Sequence, residues 1–122
     1  MIVTGAFLAD DATTINGKLY VWGGVLTSFT KPSPEHSPVI NPMLVVLTQA
    51  EYGDTTGSVP IEIHGPDGSV QKGDLPVPDA TRTGTRSGFF FARVSFHVPQ
   101  DGRYSIVVGS VSIPVEIDTN TG

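Results

Sequence analysis

The sequence predicts an all-β domain: a two-sheet antiparallel sandwich of about seven to nine strands with little or no helix. Short runs of Val, Ile, Phe and Tyr recur along the whole chain, separated by Gly, Pro, Asp and Asn. No window holds an apolar 3.6-residue period for three turns. The 14 glycines and 10 prolines are scattered among 122 residues without a collagen-like or low-complexity repeat, which is the composition of a turn-rich β protein. A chain of this length accommodates one core, so residues 1–122 are read as a single domain with long loops at about 30–42 and 72–88.

The first strand is expected over 2–9, ended by Asp10 and Asp11. Asn16-Gly17 is a reversal, because both residues tolerate positive φ in a two-residue hairpin. Residues 18–23 form the next strand, with Leu19 and Val21 facing opposite Tyr20 and Trp22. Gly23-Gly24 inside the run marks a bend or bulge before a continuation at 25–30. In the connection that follows, Pro32, Pro34, Pro38 and Pro42 fix φ and remove backbone donors, which favours an extended, unpaired segment.

The run Met43 to Gln49 is apolar at successive positions, as in a central strand covered on both faces. Residues 59–65 alternate, with Val59, Ile61 and Ile63 on the core face and Pro60, Glu62 and His64 on the other. Pro60 cannot donate to a ladder, which predicts an edge strand or an outward-facing N–H. Residues 65–70 read as a tight turn into a short strand. Residues 72–88 show no strand pattern; a connection of that length in so small a domain is more often functional or disordered than idle. Phe90, Ala92, Val94, Phe96 and Val98 then supply a core row. Phe89 and Phe91, on the opposite face, require cover from the long loop or from another subunit.

In the last third, Gly109-Ser110 joins two alternating strands as a two-residue turn with glycine first. "DGRY" at 101–104 resembles the corner that enters the penultimate strand of many immunoglobulin-like domains. That likeness implies a tyrosine hydroxyl bonded back to the backbone of the corner, and an immunoglobulin-like sandwich. The opening stretch, Ala6 to Asp10, Gly17 to Val21 and Gly23-Gly24, resembles a small actinobacterial family of unknown function. It departs from that family's pattern at Trp22, where an aliphatic residue is usual. The resemblance implies an actinobacterial or phage source and no catalytic residues.

Seven basic and twelve acidic side chains leave a net charge of −5, which speaks against nucleic acid and anionic membranes as partners. With no cysteine, disulfides, thiolate nucleophiles and cysteine-held metals are excluded. The amino-terminal stretch lacks the pattern of an export signal, so the protein is expected to be cytoplasmic as made, with assembly into a virion compatible with that.

No nucleophile motif such as GxSxG occurs, and neither a catalytic residue, a metal site nor a cofactor is assigned. Glu62 and His64 share a strand face, but one His and one Glu do not complete a metal sphere. His36 and His97 are read as structural or exposed. Asp10 and Asp11 lack the ligand rhythm of a calcium loop.

The leading expectation is a non-catalytic protein-binding domain, a homo-oligomer or an accessory subunit of a larger assembly such as a phage particle. Its contact residues would be Leu75, Val77, Arg82, Arg86, Phe89 and Phe91, together with the Pro-rich segment. The alternative is a small-ligand or carbohydrate module stacking on Tyr20 and Trp22 beside Glu62 or His64. A third expectation is an accessory enzyme or metal-binding protein using Asp10, Asp11 and His64.

Overall fold

The structure, a computed structural model, describes residues 1–31, 39–83 and 86–120. The described residues are all-β apart from one short helix, with the strands distributed over four sheets. In chain order the strands are β1 (Ile2–Ala9), β2 (Asp11–Ile15), β3 (Lys18–Trp22), β4 (Ser28–Lys31), β5 (Val39–Ile40), β6 (Met43–Gln49), β7 (Ser58–His64) and β8 (Val70–Pro76). After helix α1 (Asp79–Thr83) come β9 (Ser87–Arg93), β10 (Phe96–His97), β11 (Gly102–Val108) and β12 (Val111–Thr119). The larger sheets run β1-β6-β9 and β4-β12-β11-β7-β8, and β2-β3 and β5-β10 are separate pairs.

This differs from the expected sandwich in three respects. Among the described residues there are twelve strands, because β2 and the two-residue β5 and β10 are additional. The pairing of β4 with β12 is parallel. The sheets do not form a clear two-sheet immunoglobulin arrangement.

The central-strand expectation for 43–49 holds: β6 lies between β1 and β9. Its Leu44 and Val46 enter the main core with Leu8, Phe90, Ile61, Tyr104, Ile106 and Val115. Its Met43 and Val45 face the other way, into a second cluster with Ala12, Phe7, Leu19, Val21 and Phe91. A strand that is apolar at successive positions therefore has apolar cover on both faces. The second cover is the β2-β3 hairpin, laid over the outer face of the three-stranded sheet.

That hairpin turns at Asn16-Gly17, with φ of 53° and 75° and Ile15 opposite Lys18, as a two-residue loop with both central residues at positive φ requires. The chain enters it at Asp10, whose N–H donates to the Trp22 carbonyl at 3.0 Å. It leaves at Gly23, where φ is 64° and a Cβ would stand 1.9 Å from Asp10 Oδ2. The bend expected at the glycine pair is therefore the exit from the hairpin, and the strand 11–15 was hidden behind its two aspartates.

Pro60 does not lie on an edge, since β7 runs between β11 and β8. It stands where the β7-β11 ladder ends: its carbonyl accepts from Gly109 N–H at 3.1 Å, so the absent proline donor forfeits one terminal bond. The long "loop" 72–88 is also corrected. Residues 70–76 form β8, in register with β7 from Ser58↔Pro76 to His64↔Val70, and α1 follows. Its alternation was concealed because Gln71 and Gly73 occupy inward positions.

Gln71 has a different task there. Its side-chain amide donates to the His97 carbonyl at 2.8 Å and its amide oxygen accepts from His97 N–H at 3.0 Å, continuing the sheet through a side chain.

Tyr104 is buried, its hydroxyl donates to the Gln100 carbonyl at 2.8 Å, and it accepts from Gln100 N–H at 3.2 Å, so the tyrosine corner is present. Tyr104→Phe is expected to lower unfolding stability by about 1–2 kcal/mol, since partly buried backbone groups lose their partner. Urea denaturation checks this, and an unchanged midpoint would show that the corner is not held by the hydroxyl.

Candidate functional site

The free edge of β9 forms the floor of a cleft of about 490 Å³, lined by Thr14 and Gly17 of the hairpin, Pro78, Ala80 and Thr81 around α1, and β9 itself. Bonds from Ala50 N–H to the Arg86 carbonyl (2.7 Å) and from Val94 N–H to the Pro42 carbonyl (3.0 Å) set the ladder parity. Residues 86, 88, 90, 92 and 94 turn their backbone groups toward β6, and residues 87, 89, 91 and 93 turn theirs outward. The Phe89 carbonyl accepts from the Thr81 hydroxyl at 2.9 Å, which anchors α1 beside the edge.

Phe89 and Phe91, both half-buried, line this cleft. The β2-β3 hairpin packs on Phe91, and Pro78, Ala80 and Thr81, from the long connection expected to cover these aromatics, line the same cleft. Leu75 and Val77 cannot be contact residues in this structure, because both are buried in the main core. They are apolar inward positions at the end of β8, where the sequence suggested a protruding "LPVP".

Arg82 donates to the Thr56 carbonyl at 2.8 Å and pairs with Asp79, so it clamps α1 to the 50–57 connection. Arg86 is exposed, with Glu51 at 3.7 Å and both side chains about three-quarters accessible. Among the cleft residues, Gly17 was read only as part of the hairpin turn, and Ala80 and Thr81 carried no individual role. So small and polar a set has no motif, and only the folding of the hairpin over β9 assembles it.

Thr48 is a further residue that sequence reasoning passed over. It is 3% exposed and its hydroxyl has no hydrogen-bond partner among the described residues. It stands opposite Gly88, where a Cβ would lie 3.2 Å from Thr48 Oγ1 and 3.0 Å from the Thr81 carbonyl. The one signal was a threonine inside an apolar run.

Tyr20 and Trp22 do share an exposed face of the hairpin, 44% and 52% accessible. Glu62 and His64 are paired at 3.5 Å, half-exposed on β7 of the five-stranded sheet. The hairpin covers the outer face of one sheet and Glu62 and His64 stand on the outer row of the other, so the structure does not unite these four residues.

Asp10 and Asp11 belong to the hairpin side as well, and His64 is not brought to them. Arg93 instead donates to the Asp10 carbonyl at 3.1 Å and lies 3.3 Å from an Asp11 carboxylate oxygen. Among the described residues no group of three His, Asp or Glu side chains is placed to hold a metal ion, and no helix is long and apolar enough to cross a membrane. His36 and most of the Pro-rich segment lie outside the described residues; His97 is exposed on β10.

Three carboxylates are held below their ordinary range. Asp101 is lowered by the Thr119 hydroxyl at 2.8 Å and by Lys31 at 3.3 Å, and Asp67 by Ser69 in the turn after β7. Asp54 is lowered most by the Met1 amino group at 2.7 Å and then by Thr56. Because the folded values lie below the unfolded ones, their stabilisation is complete above about pH 4 and is lost as the pH falls through the folded values. Asp101→Asn should therefore flatten the loss of stability on acidification below about pH 4, measured as the denaturation midpoint against pH. An acid limb identical to that of the parent protein would refute this assignment.

Compared with protein-family models, with curated proteins and with solved structures, the chain matches none.

Proposed function

We propose that this protein is a non-catalytic binding domain that takes up part of another polypeptide in the cleft between the β2-β3 hairpin and α1, acting as a structural or accessory subunit of a larger assembly. One observation carries the reading: a strand edge that pairs with no second strand among the described residues lies beside a cleft of about 490 Å³ walled by Phe89, Phe91, Pro78 and Ala80. The volume is in the range of ligand sites, and the walls are apolar with a few hydroxyls. The tyrosine corner and the meeting of the inward rows of the two larger sheets in one core support a two-layer, immunoglobulin-like ancestry for the scaffold.

Ala80 is exposed on α1 and lines the cleft, so Ala80→Trp should fill it without disturbing the core. Selection against a library of random linear peptides is expected to yield binders that lose about tenfold or more in affinity for that variant. Failure to enrich any peptide, or equal binding by a folded Ala80→Trp protein, would refute the proposal.

A second reading has its own observation. Tyr20 and Trp22, two residues apart on one exposed face with Ile15 beside them, form an apolar aromatic surface on which a sugar ring could stack. Loss of glycan binding in Trp22→Ala with the fold retained distinguishes this reading from the first, which it leaves untouched.

A further inference from the structure

We propose that the occupant of the cleft is an extended polypeptide segment that adds as a strand to the free edge of β9, apolar at alternate positions and acidic where it passes Lys18 and Arg86. This rests on the reading of the cleft as a protein-binding site. The ladder parity turns the N–H of Phe89 and both backbone groups of Phe91 and Arg93 away from β6, and among the described residues β9 pairs with no other strand. A row of alternating donors and acceptors spaced for a strand is matched by another extended backbone, with side-chain pockets supplying the selectivity.

The other edges of the two larger sheets are defended or short. The outward-facing backbone of β8 belongs to Val70, Lys72, Asp74 and Pro76, two charges and a residue without a donor, which is how exposed edges resist pairing. The edge of β1 is bridged by Leu26, whose N–H donates to the Leu8 carbonyl at 2.7 Å, and β4 has four residues. On β9 the edge-facing residues include Phe89 and Phe91, and the hairpin and α1 wall the cleft without closing it.

The side-chain chemistry follows from the walls. An added strand would direct alternate side chains toward Phe89 and Phe91 on one side and toward Pro78 and Ala80 on the other, and both suit apolar groups. At Gly88 the wall is close-packed, since a Cβ would lie 3.0 Å from the Thr81 carbonyl and 3.2 Å from Thr48 Oγ1, so an added strand meets bare backbone there.

In a chain of net charge −5, two cations adjoin lining residues of the cleft, Lys18 next to Gly17 and Arg86 next to Ser87. Lys18 adjoins the cleft-lining Gly17 and makes no ion pair among the described residues. Arg86, at the start of the edge, has only a long, solvent-screened contact with Glu51 at 3.7 Å. Both cations are available to an acidic flank.

The test uses two random linear peptide libraries, one enriched in Glu and one in Lys, with amide exchange at Phe89, Phe91 and Arg93 as the structural readout. The expected result is binders from the Glu-enriched library that protect the Phe91 amide. Binding should be abolished by backbone N-methylation at alternate peptide positions and spared by methylation at the positions between. The Lys18→Glu, Arg86→Glu double variant, altered only at exposed side chains, should slow association about tenfold.

Peptides that bind and are lost in Ala80→Trp, yet leave Phe91 exchanging freely and tolerate N-methylation everywhere, would overturn strand addition while the protein-binding reading stands. Binders drawn only from the Lys-enriched library would overturn the acidic specificity. Protection of Phe91 that rises with protein concentration in the absence of peptide would show a second copy of the chain in the cleft, also overturning the proposal. No binder from either library would remove the protein-binding reading itself.

Discussion

Leu44→Ala is expected to destabilise the protein by about 2–5 kcal/mol, read from urea denaturation with both proteins at one concentration. Leu44 is fully buried on the middle strand of the three-stranded sheet, and its side chain enters the core that both larger sheets share. Removing three carbons there loses their transfer free energy and leaves a cavity, since strands on both sides restrain collapse. Against a typical domain stability of about 5–15 kcal/mol, that is a large fraction.

The neighbouring residue provides an internal control. Val45 is equally buried but faces the β2-β3 hairpin. Val45→Ala should therefore raise amide exchange chiefly in β2 and β3, whereas Leu44→Ala raises it across both larger sheets. A Leu44→Ala protein that loses less than about 1 kcal/mol would contradict the shared core.

Gly109→Val is expected to cost about 2–3 kcal/mol. Gly109 has φ of 59° in the two-residue turn that joins β11 to β12, a conformation that a β-branched residue adopts only under strain. A Cβ there would also lie 3.0 Å from Val3 Cγ2, and Val3 is a buried core residue, so it has little room to yield. Ser110→Ala, at the exposed second position of the turn, should stay within about 0.5 kcal/mol of the parent. Equal thermal midpoints for the two variants would show that the turn does not need glycine.

Elements with a strong period were legible because their burial is one-sided and local. The rows of β11 and β12, the turns at Asn16-Gly17 and Gly109-Ser110, and the tyrosine corner all follow from alternation and turn chemistry within a dozen residues. Beyond its first residues the strand β8 was not legible, because Gln71 and Gly73 hold inward places that an apolar residue would have announced. Gln71 holds its place by bonding to His97, far along the chain, and Gly73 lies against Ile61, where a Cβ would be 3.6 Å from its Cγ2. Leu75 and Val77 were misplaced for the same reason: prolines on either side looked like a free segment, while their register with β7 buries them.

The candidate site was half legible. Phe89 and Phe91 were visible as aromatics on the wrong face of a core strand, and that oddity pointed to cover from elsewhere. What covers them depends on where the hairpin lands. The sharp exit at Gly23, packed on Asp10, lays β2-β3 across β1-β6-β9 and so brings Thr14 and Gly17 toward Ala80 and Thr81, more than sixty residues away in sequence.

By itself, then, the sequence determined the all-β class, the alternation of most strands, the two tight turns and the corner, since each is set by backbone sterics and side-chain period over a few residues. Tertiary structure alone decided the partition into sheets, the parallel β4-β12 pair, the burial of Leu75 and Val77, and the cleft at β9. Those depend on which distant surfaces meet, and non-local contact leaves no period in the chain.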